Sequence, residues 1–188
     1  MEVIGVGDIR NGHKVEIDNE AYEVVDAQHV KPGKGGAFCR TKMKNLRTGS
    51  ILERTFRVGE KLPVPDLEEK EVQYLYTAEE QFWFMDLKSY EQVFLTRDQI
   101  GESKNYLKEN MNLKILYFNN RPIGIDLPLF VELRVVQADP GIRGDTASGG
   151  TKPAVLETGA VVKVPLYLNE GEKVKVDTRT GTFIERVK

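Results

Sequence analysis

Short runs of β-branched and aromatic residues recur along most of the chain, broken by Gly, Asn and Asp pairs. Runs of this length and period predict strands joined by tight turns. In the first third, Lys14 to Ile17 and Ala21 to Val25 read as strands around Asp18-Asn19, a pair that tolerates left-handed backbone. The strand-like run continues to Val30. A second run, Phe38 to Leu46, is followed by a turn at Thr48-Gly49 and a third run, Ile51 to Val58. Pro63-Val64-Pro65 reads as a stiff linker. Beyond it, Val72 to Tyr76 and Phe82 to Met85 pair as an aromatic-rich hairpin about Thr77-Ala78-Glu79-Glu80. Leu113 to Phe118 and Ile123 to Leu127 pair about Asn119-Asn120. Thr96 to Glu109 holds the one helical pattern. The last third repeats the strand rhythm: Phe130 to Gln137, Val161 to Leu168, Lys173 to Asp177 and Thr182 to Val187, with a long Gly-rich loop from Asp139 to Lys152. The pattern predicts an all-β protein of three small barrels over residues 1–64, 65–127 and 128–188, the last two alike in length and rhythm, as OB folds are.

Between the runs ending at Val30 and starting at Phe38 lies Lys31-Pro32-Gly33-Lys34-Gly35-Gly36-Ala37. Pro32 lacks an N–H and biases Lys31 towards extended backbone, so a helix is excluded. Gly33, Gly35 and Gly36 leave the backbone bare and able to take positive φ. The segment reads as a hairpin loop with Lys34 at its tip. An ordinary Gly-rich turn with a solvated lysine has the same pattern.

Charge separates these readings further. From Ala27 to Arg57 there are eight basic residues and one acid, Glu53, in a chain of net charge −2. The three thirds carry net charges of +2, −5 and +1. A local basic field in a slightly acidic protein points to a polyanion at this end only. By the two-residue period, Arg40, Lys42 and Lys44 share one face of their strand, while Cys39, Thr41 and Met43 share the other. Successive cations then stand about 6.6–7 Å apart, a row able to follow a phosphate backbone. A solvated face of a half-buried sheet gives the same row. The aromatic hairpin of the second unit could stack bases. Its acidic neighbourhood argues instead for a core role.

The 188 residues include one cysteine, Cys39, and two histidines, His13 and His29. No intrachain disulfide is possible and no zinc spacing exists. No apolar run nears a membrane span, and no signal-peptide pattern opens the chain, which gives a cytoplasmic expectation. Residues 144–151 have the glycine spacing of a phosphate-binding loop, but Gly150 stands where lysine is needed. No nucleophile elbow and no separable pair of acid/base carboxylates occurs. An enzyme, a cofactor and a metal site are therefore not expected.

Two stretches are more specific than these patterns. His29-Val30-Lys31-Pro32-Gly33-Lys34-Gly35-Gly36-Ala37-Phe38 resembles the loop of the bacterial elongation factor P family. So does Gly141-Ile142-Arg143-Gly144-Asp145-Thr146 with Gly150-Thr151-Lys152-Pro153-Ala154-Val155-Leu156-Glu157-Thr158-Gly159-Ala160, continuing through Val164-Pro165-Leu166 and Lys175 to Gly181. The likeness also takes in Asp8-Ile9-Arg10-Asn11-Gly12 and the middle unit, hence the whole chain.

The resemblance implies a KOW-like (SH3-like) barrel followed by two OB-fold barrels, in an elongated, tRNA-like L. It implies a translation elongation factor that binds the 70S ribosome, touching both subunits, between the peptidyl-tRNA and exit sites. Such a factor stimulates peptide-bond formation where consecutive prolines stall it. Lys34 would contact the CCA end of the peptidyl-tRNA in the P site. Lysine at 34 resembles the branch that modifies this residue, commonly by β-lysylation through an enzyme of lysyl-tRNA-synthetase type. Lys31, Pro32, Gly33, Gly35, Gly36, Arg40, Lys42 and Lys44 would form the RNA-facing loop and strand. Arg143, Gly144, Asp145, Thr146, Gly149, Gly150, Thr151 and Lys152 would face the small subunit. The factor would be a monomer, off the membrane. The competing readings are the elongation-factor-P-like paralogue and a KOW/OB RNA-binding protein that works off the ribosome.

Overall fold

A computed structural model describes residues 2–141 and 150–188, and the described residues form sixteen short strands with a single α-helical turn. In chain order the strands are β1 (Val3–Gly5), β2 (Lys14–Ile17), β3 (Glu20–Val30), β4 (Phe38–Asn45), β5 (Ile51–Arg57), β6 (Lys61–Pro63), β7 (Leu67–Ala78), β8 (Gln81–Asp86) and β9 (Gln92–Thr96). After the helical turn α1 (Arg97–Ile100) come β10 (Asn112–Phe118), β11 (Arg121–Asp126), β12 (Phe130–Ala138), β13 (Thr151–Leu156), β14 (Val161–Pro165), β15 (Lys173–Asp177) and β16 (Thr182–Val187). Three larger sheets have the orders β2–β3–β4–β5, β11–β10–β7–β8–β9 and β14–β13–β12–β15–β16, and β1 pairs with β6.

The hairpins follow from their turn residues. Asp18 and Asn19 have φ of 52° and 63°, and Asn119 and Asn120 have 49° and 63°. Two successive left-handed residues match the twist of the flanking strands. The β7–β8 turn is tighter than the four residues expected: Ala78 pairs with Gln81, leaving Glu79 and Glu80 alone at positive φ. The helical pattern is also shorter than its sequence. Thr96 and Gln99 form a capping box that starts α1, and Gly101, at φ 58°, ends it. A 3₁₀ helix, Gly101–Tyr106, completes the segment.

The chain divides into two compact units. The first contains residues 1–70 and 115–124. Val6, Ile9, Val15, Ile17, Val24, Cys39, Met43, Phe56 and Leu62 form its main core. Ala21, Phe118 and Ile123 form a smaller cluster beside it, packed against Leu46 and Leu67. Asn45, buried at the end of β4, accepts hydrogen bonds from the amides of Arg47 and Thr48 and so sets the β4–β5 turn.

The second unit contains residues 71–114 and 125–188. Its C-terminal sheet closes over Val131, Leu133, Val135, Leu156, Val162, Val164, Leu168, Val174 and Val176. Phe84, Val72 and Leu95 are fully buried elsewhere in this unit. Lys108 and Glu157 join distant segments within this unit, Nζ to Oε1 at 2.9 Å, and the same oxygen accepts from the Arg134 amide at 2.9 Å. Thr158 Oγ1 donates to the Asn105 carbonyl.

Burial pushes the Glu157 carboxyl up, but the Arg134 amide and the Lys108 ammonium outweigh it and hold the group below the usual glutamate value. A depressed folded-state value means that the stabilisation is present above about pH 4.5 and lost as pH falls through the folded value. Glu157→Gln is expected to lower stability at pH 7 by about 1–2 kcal/mol. The difference from wild type should shrink towards pH 3, as read by urea unfolding at each pH. A pH-independent difference would contradict the ion pair.

Candidate nucleic-acid interface

Strands β3 and β4 form the longest hairpin of the first unit. Val30 pairs with Phe38, and residues 31–37 close the hairpin with Lys34 at the midpoint. Lys31 to Gly36 are all exposed. Lys34 makes no hydrogen bond or ion pair with any described residue, and the same holds for Lys31. Of the three loop glycines only Gly35 has positive φ, at 107°. A Cβ on Gly33, Gly35 or Gly36 would meet nothing within 4 Å. Gly35 alone uses the freedom to take positive φ that all three glycines have. Bareness at Gly33 and Gly36 serves no intramolecular packing.

The foot of the loop is fixed. His29 Nε2 donates to the Ile9 carbonyl at 2.9 Å, and Arg10 Nη1 donates to the same oxygen at 2.8 Å. His13 Nδ1 accepts from the Arg10 amide at 3.1 Å. Both histidines are thus structural. The Val58 amide donates to the Ala37 carbonyl at 2.9 Å. Cys39 lies under the loop's base, fully buried, and burial pushes its thiol up. It is a core residue, not a nucleophile. Among the described residues no cluster of His, Cys, Asp and Glu is placed to hold a metal.

The strand parity expected of β4 is observed. Cys39, Thr41, Met43 and Asn45 are buried, and Arg40, Lys42 and Lys44 are exposed. Their neighbours differ from the sequence expectation. A bulge at Val25, between the pairs Val24–Met43 and Asp26–Lys42, turns Asp26 onto the outer face beside Lys42. On the other side Lys42 meets Glu53, Nζ to Oε1 at 3.2 Å. Lys44 sits opposite Glu23, which is itself bridged by Lys14 at 3.1 Å. The cation row is therefore threaded by acids at its middle.

Positive charge without a carboxylate partner among the described residues gathers at the loop end instead. Arg40 lies between Gln28 and Thr55, its guanidinium 5.5 Å from the Phe38 ring centroid. Arg57 sits opposite Phe38 on the same face. Together with Lys31 and Lys34 they make a compact basic end. Arg57 was not singled out by the sequence; only the β4–β5 register places it there.

The second expected site lies mostly outside the described residues: Arg143, Gly144, Asp145, Thr146 and Gly149. Gly150 is half-buried and Thr151 exposed. Lys152 differs from a surface contact. It is buried, and its Nζ donates to the Asp139 carbonyl at 2.7 Å, tying the two described ends of the segment together. Gly141 is held close to the barrel: a Cβ there would lie 2.6 Å from the Leu166 carbonyl oxygen.

Comparison with known proteins covers nearly the whole chain. Family models match residues 5–62 (Elongation factor P KOW-like domain), 67–125 (Elongation factor P OB domain) and 131–186 (Elongation factor P, C-terminal). The elongation factor P of Pelotomaculum thermopropionicum is 52% identical over 185 residues, covering 98% of this chain and 100% of the relative. That of Desulfitobacterium hafniense strain DCB-2 is 54% identical over 184 residues, with the same coverage. Among solved structures, a translation initiation factor 5A from Methanococcus jannaschii superposes with a TM-score of 0.58 at 26% identity, covering 67% of this chain and 92% of that one.

Proposed function

The chain belongs to the elongation factor P family, and on that premise we propose that it is a translation elongation factor that enters the ribosome between the peptidyl-tRNA and exit sites and relieves stalling at consecutive prolines. The observation that carries this reading is the Lys34 loop: an exposed lysine with no partner among the described residues, at the middle of a seven-residue loop on a fixed base. A side chain that has no work inside the protein is free to work outside it.

The ribosome performs peptidyl transfer, so the factor needs no acid, base or metal of its own. Its contribution is position. Proline is a constrained acceptor and donor, and a misplaced peptidyl-tRNA loses the benefit of orientation. Well-oriented reactants gain up to about 7–11 kcal/mol in favourable systems. The factor restores a part of that. Lys34 presents three N–H donors to the CCA end. A β-lysyl group added by an enzyme of lysyl-tRNA-synthetase type would lengthen the reach. Gly33 and Gly36, which have room for a methyl group in the free protein, stay bare so that RNA can come close. Gly150, Thr151 and the residues before them face the small subunit, and the bond from Lys152 to the Asp139 carbonyl anchors the described residues on either side. Division of labour follows three barrels, residues 1–64, 65–127 and 128–188, in a cytoplasmic monomer.

Arg40 and Arg57 hold phosphates beside the loop, and Lys42 less so, because Asp26 and Glu53 flank it. Ribosome co-sedimentation over a range of salt concentrations tests this. Arg40→Ala and Arg57→Ala should each weaken binding and lower the logarithmic salt slope by about one. Lys42→Ala should change the slope by well under half of that. Equal effects of all three would return the even row of Arg40, Lys42 and Lys44. Loss of co-sedimentation altogether in the wild type would favour an RNA-binding role off the ribosome.

A further inference from the structure

The aromatic hairpin does not place all its rings in the core. Tyr74, Phe82 and Phe84 are buried, but Tyr76 and Phe94 are 44% and 41% exposed. The cause is a second bulge. The pairs Tyr74–Phe84 and Tyr76–Trp83 leave Leu75 unmatched, which moves Tyr76 to the outer face. Tyr76, Trp83 and Phe94 then line up across β7, β8 and β9. Tyr76 and Trp83 stack with centroids 6.3 Å apart and planes at 23°; Trp83 and Phe94 are 5.2 Å apart and tilted by 46°.

The rows on either side of this ladder are Gln73–Met85–Gln92 and Ala78–Gln81–Thr96. None of the nine residues carries a charge, in a chain that is 30% charged. The nearby turn and helix start are acidic. Glu79 and Glu80 stand at the hairpin tip and Asp98 follows in α1, with Arg97 as the one cation, paired to Glu80 at 3.3 Å. Such a rim repels phosphates, so the ladder is not a base-stacking platform for RNA. It suits a cation that stacks. Guanidinium is planar, weakly hydrated and favoured over aromatic faces, and carboxylates at the rim attract it.

We propose that the Tyr76–Trp83–Phe94 ladder is a docking surface for an extended, arginine-bearing segment of a partner protein. The arginine lies over the ladder, and Glu79 and Glu80 receive neighbouring positive charge. This surface is separate from the Lys34 loop and adds a protein contact to the RNA contacts proposed above.

Trp83 is the sole tryptophan and reports on the site directly. The full-length protein is titrated with an octapeptide alternating arginine and serine, with its lysine and glutamate counterparts, and with an oligouridylate. The arginine peptide should change Trp83 fluorescence saturably, and the lysine peptide should bind about threefold more weakly or worse. Tyr76→Ser with Phe94→Ser should weaken arginine-peptide binding about tenfold. Glu79→Gln with Glu80→Gln, at turn positions outside the ladder, should weaken it about threefold and reduce its salt dependence. Absence of a saturable signal with the arginine peptide overturns the proposal. So does equal binding by the Tyr76/Phe94 variant. Saturation by oligouridylate at lower concentration than by the peptide overturns it in favour of a nucleic-acid surface.

Discussion

Lys34→Ala is expected to remove at least about nine-tenths of the stimulation at a consecutive-proline stretch while leaving the fold intact. The magnitude follows from where the side chain sits. Lys34 makes no hydrogen bond or ion pair with any described residue, so its loss should shift stability by less than about 0.5 kcal/mol. The basic end formed by Lys31, Arg40 and Arg57 remains and keeps most of the ribosome affinity. What disappears is the group that reaches the reacting end of the tRNA. Loss of about 1.4 kcal/mol of positioning is a tenfold loss of rate, a small part of what orientation can supply. Lys34→Arg separates charge from modification: it retains a cation but removes the amine that a lysine-specific enzyme would acylate. An intermediate rate for arginine supports a modified lysine. A rate for Lys34→Ala equal to that of wild type would mean that the loop acts through its backbone alone.

The second large effect is structural. Phe84→Ala should lower the stability of the second unit by about 3–5 kcal/mol, out of the roughly 5–15 kcal/mol typical of a folded domain. Phe84 is fully buried, with the Tyr74 ring centroid 5.5 Å away. Removal leaves a cavity in a sheet whose strands cannot close in. Phe94→Ala, only one strand away, should lose about 1 kcal/mol or less, because Phe94 lies on the outer face at 41% exposure. Urea unfolding measures both, with the denaturant slope checked for constancy. Similar losses at the two positions would contradict the assignment of faces.

That pair also marks what the sequence could and could not reveal. Turn chemistry was legible: Asp18-Asn19 and Asn119-Asn120 take the left-handed pairs that their residue types favour. So was parity on β4, where no bulge intervenes. Parity failed where one extra residue enters a strand. Val25 and Leu75 each add one residue to their strand, and each sends the next side chain to the opposite face. That is why Asp26 beside Lys42 went unseen and why Tyr76, in an aromatic hairpin read as core, lies on the outer face. A bulge depends on pairing with a distant strand and leaves no local mark. Lys152 went astray for another reason. A lysine in a Gly-rich segment reads as solvated, and only the fold brings the Asp139 carbonyl to its ammonium. The Lys34 loop was legible because proline and glycine dictate irregular backbone whatever the context. Its role needed the family likeness.

The most direct test of the account is reconstituted translation with the protein purified from its own host. Two messages are compared, identical except that one carries a run of consecutive prolines. The account predicts faster full-length synthesis from the proline message alone, with the proline-free message unchanged. Equal stimulation of both messages, or of neither while the protein co-sediments with ribosomes, would contradict it.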